Sequence, residues 1–283
     1  MFTIETSQDI DLVDRTSTEQ LTLDLAHPVI AHSSEAIFDS VHELPIDPAI
    51  KDMVAQVGSD DWRVREGLRQ VAEFDDTTFR HVVRVGALST HLAFQSGLNG
   101  EETQPLVMGA MLHDLGKVRV PKNIIQKDGA LSDEERAAIK AHPEAGYRMA
   151  RSLFRGEPNG TLKRLVPQLV LTHHCHNASA PNYPDAAALD GLEQEGVLMV
   201  TDLDDPILQE LGRILAVSDV YEAITADRTY TAGRGFENPL RVRKVLEESH
   251  PDMERSIGEL MSLHARRFPP YGFMPTVALS ERS

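Results

Sequence analysis

The sequence predicts an all-α protein. From Ser59 onward, apolar residues recur three and four positions apart in one segment after another, and no segment keeps the apolar–polar alternation of a half-buried strand. Capping and turn residues separate these segments.

Residues 1–58 form an N-terminal extension without sustained period, broken by Pro28, Pro45 and Pro48. Residues 1–20 read as a mobile tail, and 21–58 as short helices or turns packed on the body. Residues 59–283 form the main domain. Ser59 followed by Asp60 and Asp61 suits a helix start, and Trp62, Val64, Leu68, Val71 and Phe74 continue it at helical spacing. A second helix covers about Thr78–Gln95, punctuated by Gly97 and Gly100. A third runs from about Gln104 to Leu115, with Gly116 as its stop. Ser132 and Glu135 form a capping box for a helix that ends near His142, because Pro143 disfavours helix in its predecessor. Pro143 starts the next helix, to about Phe154. Asn159-Gly160 reads as a connector to a helix over Leu162–His174. Residues 175–208 read as irregular, Leu208–Ala226 as an apolar helix, and 238–267 as an amphipathic helix pair.

Composition narrows the function classes. Of 283 residues, 41% are hydrophobic and 25% charged, proportions of a globular chain with one sizeable core. No apolar run approaches the ~20 residues of a membrane span, and the acidic N-terminus lacks the features of a signal peptide. A formal net charge of −16 argues against nucleic-acid polymers and membranes as partners. Anionic small molecules stay open, because bound cations can dominate a local field. Cys175 is the only cysteine, so no intrachain disulfide forms and a cytoplasmic location is expected.

The residues that carry chemistry are His81, His113, Asp114, His142, His173, His174 and Asp219, on or at the ends of five predicted helices. His113 and Asp114 adjoin at the end of an apolar run, where a carboxylate can bridge two metal ions while the imidazole binds one. Asp219 interrupts the apolar stretch from Ile214 to Val220, and a buried carboxylate is costly unless paired or metal-bound. Singly, these residues have plainer readings: His81 as a core or capping residue, His142 as a helix C-cap, His173 and His174 as a surface pair. His27, His32, His42, His91, His250 and His264 read as structural or surface residues, and His176 as solvent-exposed. Jointly, the seven suit a site built inside a helical bundle, and nitrogen and carboxylate donors without thiolate suit iron, manganese or zinc.

The chain resembles the HD superfamily of metal-dependent phosphohydrolases, and within it the HD-GYP branch. The resemblance lies in Phe79-Arg-His81, Met111-Leu-His-Asp-Leu-Gly-Lys117, Gln126–Glu135, Ala141-His-Pro-Glu-Ala-Gly146, Thr172-His-His174 and Ala216–Tyr230. It implies an HD-domain helical bundle and a metal-dependent hydrolase that opens cyclic di-GMP to pGpG, and onward to GMP, through a hydroxide shared by two divalent ions, iron or manganese. By that resemblance His81, His113, Asp114 and Asp219 would hold one metal. Asp114 would bridge to a second held by His142 and His173, with His174 as a further ligand. Lys117 would contact the phosphate and assist the leaving group, Arg228 would bind a second phosphate, and Tyr183 would contact substrate.

The branch's namesake segment is altered. Cys175 stands where an acid is usual, the Asp-Gly is absent, and Asn182-Tyr183-Pro184 replaces Gly-Tyr-Pro one residue later. Thr77 stands where some members place a glutamate, which implies two metals rather than three. Three readings therefore stay open: the cyclic di-GMP phosphodiesterase, an HD phosphohydrolase acting on another nucleotide or phosphoester, and a non-catalytic module that binds a nucleotide. A signalling protein partner and a homodimer also stay open.

Overall fold

The computed structural model describes residues 28–127, 129–179, 181–198, 200–226 and 238–268; among these no strand occurs. The helices are α1 (Pro28–Val41), α2 (Pro48–Asp60), α3 (Trp62–Phe74), α4 (Asp76–Gln95) and α5 (Gly100–Leu112), followed by a 3-10 turn (Leu115–Arg119). Then come α6 (Lys122–Ile125), α7 (Asp133–Lys140), α8 (His142–Leu153), α9 (Gly160–Thr172) and α10 (Ala186–Gln194). A second 3-10 turn (Val200–Asp204) leads to α11 (Pro206–Thr225), α12 (Pro239–Ser249) and α13 (Glu254–Arg267). The all-α expectation holds. Among the described residues no helix is long and apolar enough to cross a membrane.

Helix α4 is the axis of the bundle. It packs against α5 and α11 and against α1, α2 and α3, while α9 closes the core against α5, α8 and α11. Val82, Val85 and Leu88 of α4 share one apolar cluster with Leu106 and Met111 of α5, Leu165 of α9 and Leu215 of α11. Each such side chain, fully buried, contributes roughly 1.5–3 kcal/mol.

Local chemistry sets the element ends, in several places not where the periodicity suggests. Ser59 and Asp60 lie inside α2, and Asp61 caps α3 by accepting from the amides of Arg63 and Val64. Asn99 and Glu102 form a capping box, so α5 starts at Gly100 rather than Gln104; it ends at Leu112, and Leu115 belongs to the 3-10 turn. The Ser132–Glu135 box forms as expected. The stretch 175–208 is less irregular than expected, because Asp185 accepts from the Ala188 amide and starts α10. Residues 28–60 form two full helices rather than short pieces, and Ile37, Val41 and Val54 join the main core. The tail expected over residues 1–20 lies outside the described residues.

Gly116 sits where the 3-10 turn meets the start of α8. A Cβ there would stand 1.9 Å from the His142 carbonyl oxygen and 2.5 Å from the Gly146 amide nitrogen, both backbone atoms. Gly146 in turn would place a Cβ 2.9 Å from Val170 of α9 and 3.1 Å from the Gly116 nitrogen. Three segments are thus brought together at two residues without side chains. Gly116→Ala is expected to force them apart and destabilise the chain by at least the ~1–3 kcal/mol of an overpacked core, read as a lower denaturant midpoint than wild type.

Candidate metal centre

The seven residues converge. His81 lies on α4, His113 and Asp114 follow the last turn of α5, His142 opens α8, His173 and His174 follow α9, and Asp219 is on α11. Asp114 is at the middle, and its side chain is 2% exposed. Its Oδ1 is 3.2 Å from His142 Nε2; its Oδ2 is 3.4 Å from His113 Nε2 and 3.6 Å from His81 Nε2. Asp219 Oδ1 lies 3.0 Å from His81 Nε2 and 3.9 Å from His113 Nε2. Two groups of donor atoms result, His81–His113–Asp114 and His142–His173–His174, each close enough to share one ion.

Three imidazoles are oriented by one device. His113, His142 and His173 each donate Nδ1–H to the carbonyl three residues earlier (Ala110, Ile139 and Val170), at 2.7 Å in each case. That bond selects the tautomer with a lone pair on Nε2 and turns the lone pair into the site. His142 Nε2 and His173 Nε2 consequently face each other at 3.2 Å. Two lone pairs at that distance repel unless a cation lies between them. His113 Nε2 is buried with no hydrogen-bond partner. Burial also disfavours a charge on His173, holding it well below its usual value, and His174 is pushed down to about 3 for the same first reason. Neutral imidazoles with inward lone pairs beside buried carboxylates fit divalent cations.

His81 is oriented differently. Its Nδ1 bonds Glu222 of α11, a carboxylate 2% exposed that also faces Arg84 Nε at 3.4 Å. Sequence reasoning missed Glu222. The available signal was an acid one turn beyond Asp219 in an apolar helix. Burial opposes a charge on His81, but Glu222 and Asp219 outweigh it and push the imidazole up to about 9. Burial likewise opposes ionisation of Asp114, yet Lys117 and the neighbouring histidines hold its carboxyl well below the usual carboxylate range.

Lys117 donates to Asp114 Oδ2 at 2.6 Å, and its side chain remains a quarter exposed. Tyr183 stacks on His174, with ring centroids 4.2 Å apart and planes at 28°. Lys140 lies 5.7 Å from the Tyr183 centroid, and Cys175 Sγ approaches the Tyr183 carbonyl. The altered loop therefore still returns its tyrosine to the histidines. His176 corrects an expectation: rather than facing solvent it is half-buried, wedged where a Cβ on Gly212 of α11 would stand 2.4 Å from its Nε2. Arg228 lies outside the described residues.

A family model described as the HD domain matches residues 78–224. A cyclic di-GMP phosphodiesterase of Thermotoga maritima is 32% identical over 203 residues, covering 71% of this chain and 46% of the relative. The cyclic di-GMP phosphodiesterase PA4108 of Pseudomonas aeruginosa is 34% identical over 167 residues, 59% of this chain and 35% of the relative. A 3'3'-cGAMP-specific phosphodiesterase of Vibrio cholerae is 28% identical over 167 residues, 59% of this chain and 33% of the relative. The chain thus spans less than half the length of these relatives. The HD domain of Listeria monocytogenes PgpH, solved with cyclic-di-AMP, aligns at a TM-score of 0.45 and 17% identity, over 71% of this chain and 94% of that one.

Two outcomes are expected of metal titrations. Because a proton on His81 Nε2 competes with a cation, Mn²⁺ uptake at pH 7 releases that proton, and apparent affinity rises with pH until about 9. Calorimetry in buffers of different ionisation enthalpy measures it. Glu222→Gln weakens Mn²⁺ binding by roughly 10–100-fold while leaving the helical circular dichroism unchanged.

Proposed function

Because the chain belongs to the HD-domain family, we propose that it is a metal-dependent phosphodiesterase that opens a cyclic dinucleotide, with cyclic di-GMP as substrate and pGpG as first product. One observation carries the reading: a buried carboxylate, Asp114, stands between two groups of inward-facing nitrogens. In this reading His81, His113, Asp114 and Asp219 hold one ion, and Asp114, His142, His173 and His174 hold the other. Iron and manganese suit an all-histidine and carboxylate donor set. A bound pair of divalent ions supplies Lewis acidity toward a phosphate and a nucleophilic water near neutral pH.

The side chains around the pair have separate tasks. The Lys117 ammonium uses one hydrogen bond on Asp114 and has donors left for a phosphate oxygen, where charge grows during in-line displacement. Its cation also offsets the acid excess that would repel an anionic substrate. The Tyr183 ring fixes the plane of His174, and burial keeps its hydroxyl a neutral phenol that can donate to substrate. Glu222 and Arg84 hold His81 from behind and touch no substrate in this scheme. We read the compartment as cytoplasmic, since the one cysteine has no partner within the chain and ferrous iron, one of the ions proposed, is kept reduced there.

The relative named as cGAMP-specific supports a second reading, a phosphodiesterase for a mixed cyclic dinucleotide. One experiment tests both. The full chain, purified anaerobically and loaded with Fe²⁺ or Mn²⁺, is incubated with cyclic di-GMP, 3'3'-cGAMP and cyclic di-AMP, and linear products are resolved by chromatography. Turnover of cyclic di-GMP is expected to fall at least about 10³-fold in Asp114→Ala. Lys117→Ala is expected to lose about 10²–10³ in kcat with KM changed less. Preferred opening of 3'3'-cGAMP moves the assignment to the second substrate. No opening of any of the three with either metal overturns the proposal.

A further inference from the structure

Lys140 is the last residue of α7, two positions before His142, and its side chain is exposed. A cation at a helix C-terminus has a plain role, since it meets the negative end of the dipole. This one also has a fixed neighbour. Its Nζ lies 5.7 Å from the Tyr183 ring centroid, within the range of a cation–π contact. Tyr183 in turn stacks on His174 at 4.2 Å and stands edge-on to His142 at 6.2 Å, measured between ring centroids. Lys140 is therefore one ring away from the His142–His173–His174 group, and no carboxylate pairs with it among the described residues.

Lys117 stands at the other half of the centre. It donates to Asp114 Oδ2, the oxygen that faces His81 and His113, whereas Asp114 Oδ1 faces His142. The two lysines thus lie beside different groups of donors. A phosphate on the ion pair already has two divalent cations and Lys117 set against the charges of Asp114 and Asp219. A cyclic dinucleotide carries a second phosphate, also anionic, which is not being opened and has no ion of its own. In a chain of net charge −16 that group is repelled unless a local cation meets it. Lys140 meets the chemical requirement. Its ammonium is open to solvent, and contact with a ring face uses none of its three N–H donors, which a phosphate oxygen can then accept.

We propose that Lys140 is a substrate-binding residue whose ammonium takes the phosphate of the cyclic dinucleotide that is not being opened, with the Tyr183 ring holding the side chain at the rim of the centre. The inference rests on the phosphodiesterase reading above and adds a residue to it. The test compares the full chain and its variants, loaded with Mn²⁺, on two substrates. One is cyclic di-GMP, or whichever cyclic dinucleotide is opened fastest; the other is bis(p-nitrophenyl) phosphate, a diester with a single phosphate. Lys140→Ala is expected to raise KM for the cyclic dinucleotide at least about tenfold with kcat changed less than about twofold, the pattern of a lost binding contact. On the single-phosphate diester its kcat/KM should stay within about twofold of wild type, because that substrate has no second phosphate to lose. Lys140→Arg, which keeps the charge, should restore most of the KM. Equilibrium binding gives a readout apart from turnover. In the slow Lys117→Ala background, calorimetric affinity for the cyclic dinucleotide should fall at least about tenfold when Lys140→Ala is added, with the melting temperature unmoved. A wild-type chain that opens no cyclic dinucleotide overturns the phosphodiesterase reading and this inference with it. A wild-type chain that opens one, while Lys140→Ala keeps its KM or loses as much on the single-phosphate diester, overturns this inference alone.

Discussion

Where Gly116 lies against the first turn of α8, two backbones meet with no side chain between them, and that contact sets the span across which Asp114 reaches His142. The turn carrying Asp114 and the helix start carrying His142 can approach only because a Cβ at Gly116 would have to occupy the space of the His142 carbonyl. Gly146 extends the contact to Val170, three residues before His173. The distances at the centre, 3.2 Å from Asp114 to His142 and 3.2 Å from His142 to His173, are therefore consequences of close main-chain packing one layer away.

The packing of α4 against α5 and α11 gathers Asp114, Asp219 and Glu222 within reach of His81. Three carboxylates in so small a volume need positive charge. Lys117 supplies it to Asp114, and Arg84 lies against Glu222. His81 between Asp219 and Glu222 becomes a cation when no metal ion is at its Nε2. The apolar bundle keeps water away and so raises the strength of every charge inside it. Folding thus assembles a site whose electrostatics favour a cation before any substrate arrives.

Much of this was legible in the sequence because it is local. Helix identity followed from spacing, the Ser132–Glu135 box from four residues, His113–Asp114 and His173–His174 from adjacent pairs at helix ends, and Asp219 from an acid in an apolar run. Most of what the sequence hides is long-range. Glu222 pairs with a ring 141 positions away, so its buried acid reads only as an unexplained polar residue in an apolar helix. Gly116 reads as a helix stop, and only the fold reveals which backbone it admits. Gly100 reads as punctuation, which hides the Asn99–Glu102 box beside it. His176 reads as exposed in the sequence, yet α11 leaves room for its ring at Gly212. The helix over Pro48–Asp60 is obscured in the sequence by its proline, which stands at the helix start, where proline is tolerated.

Three imidazoles take their aim from the final turn of the segment that precedes them, through the bond from Nδ1 to the carbonyl three residues back. Each ring's direction is therefore inherited from where the preceding helix stops rather than from distant partners. Inserting or deleting one residue inside α5, α7 or α9 would rotate the attached donor by about 100° about the helix axis, whereas length changes in the connectors between them would leave its heading untouched. Such a construction tolerates changes of connector length and resists changes of helix length.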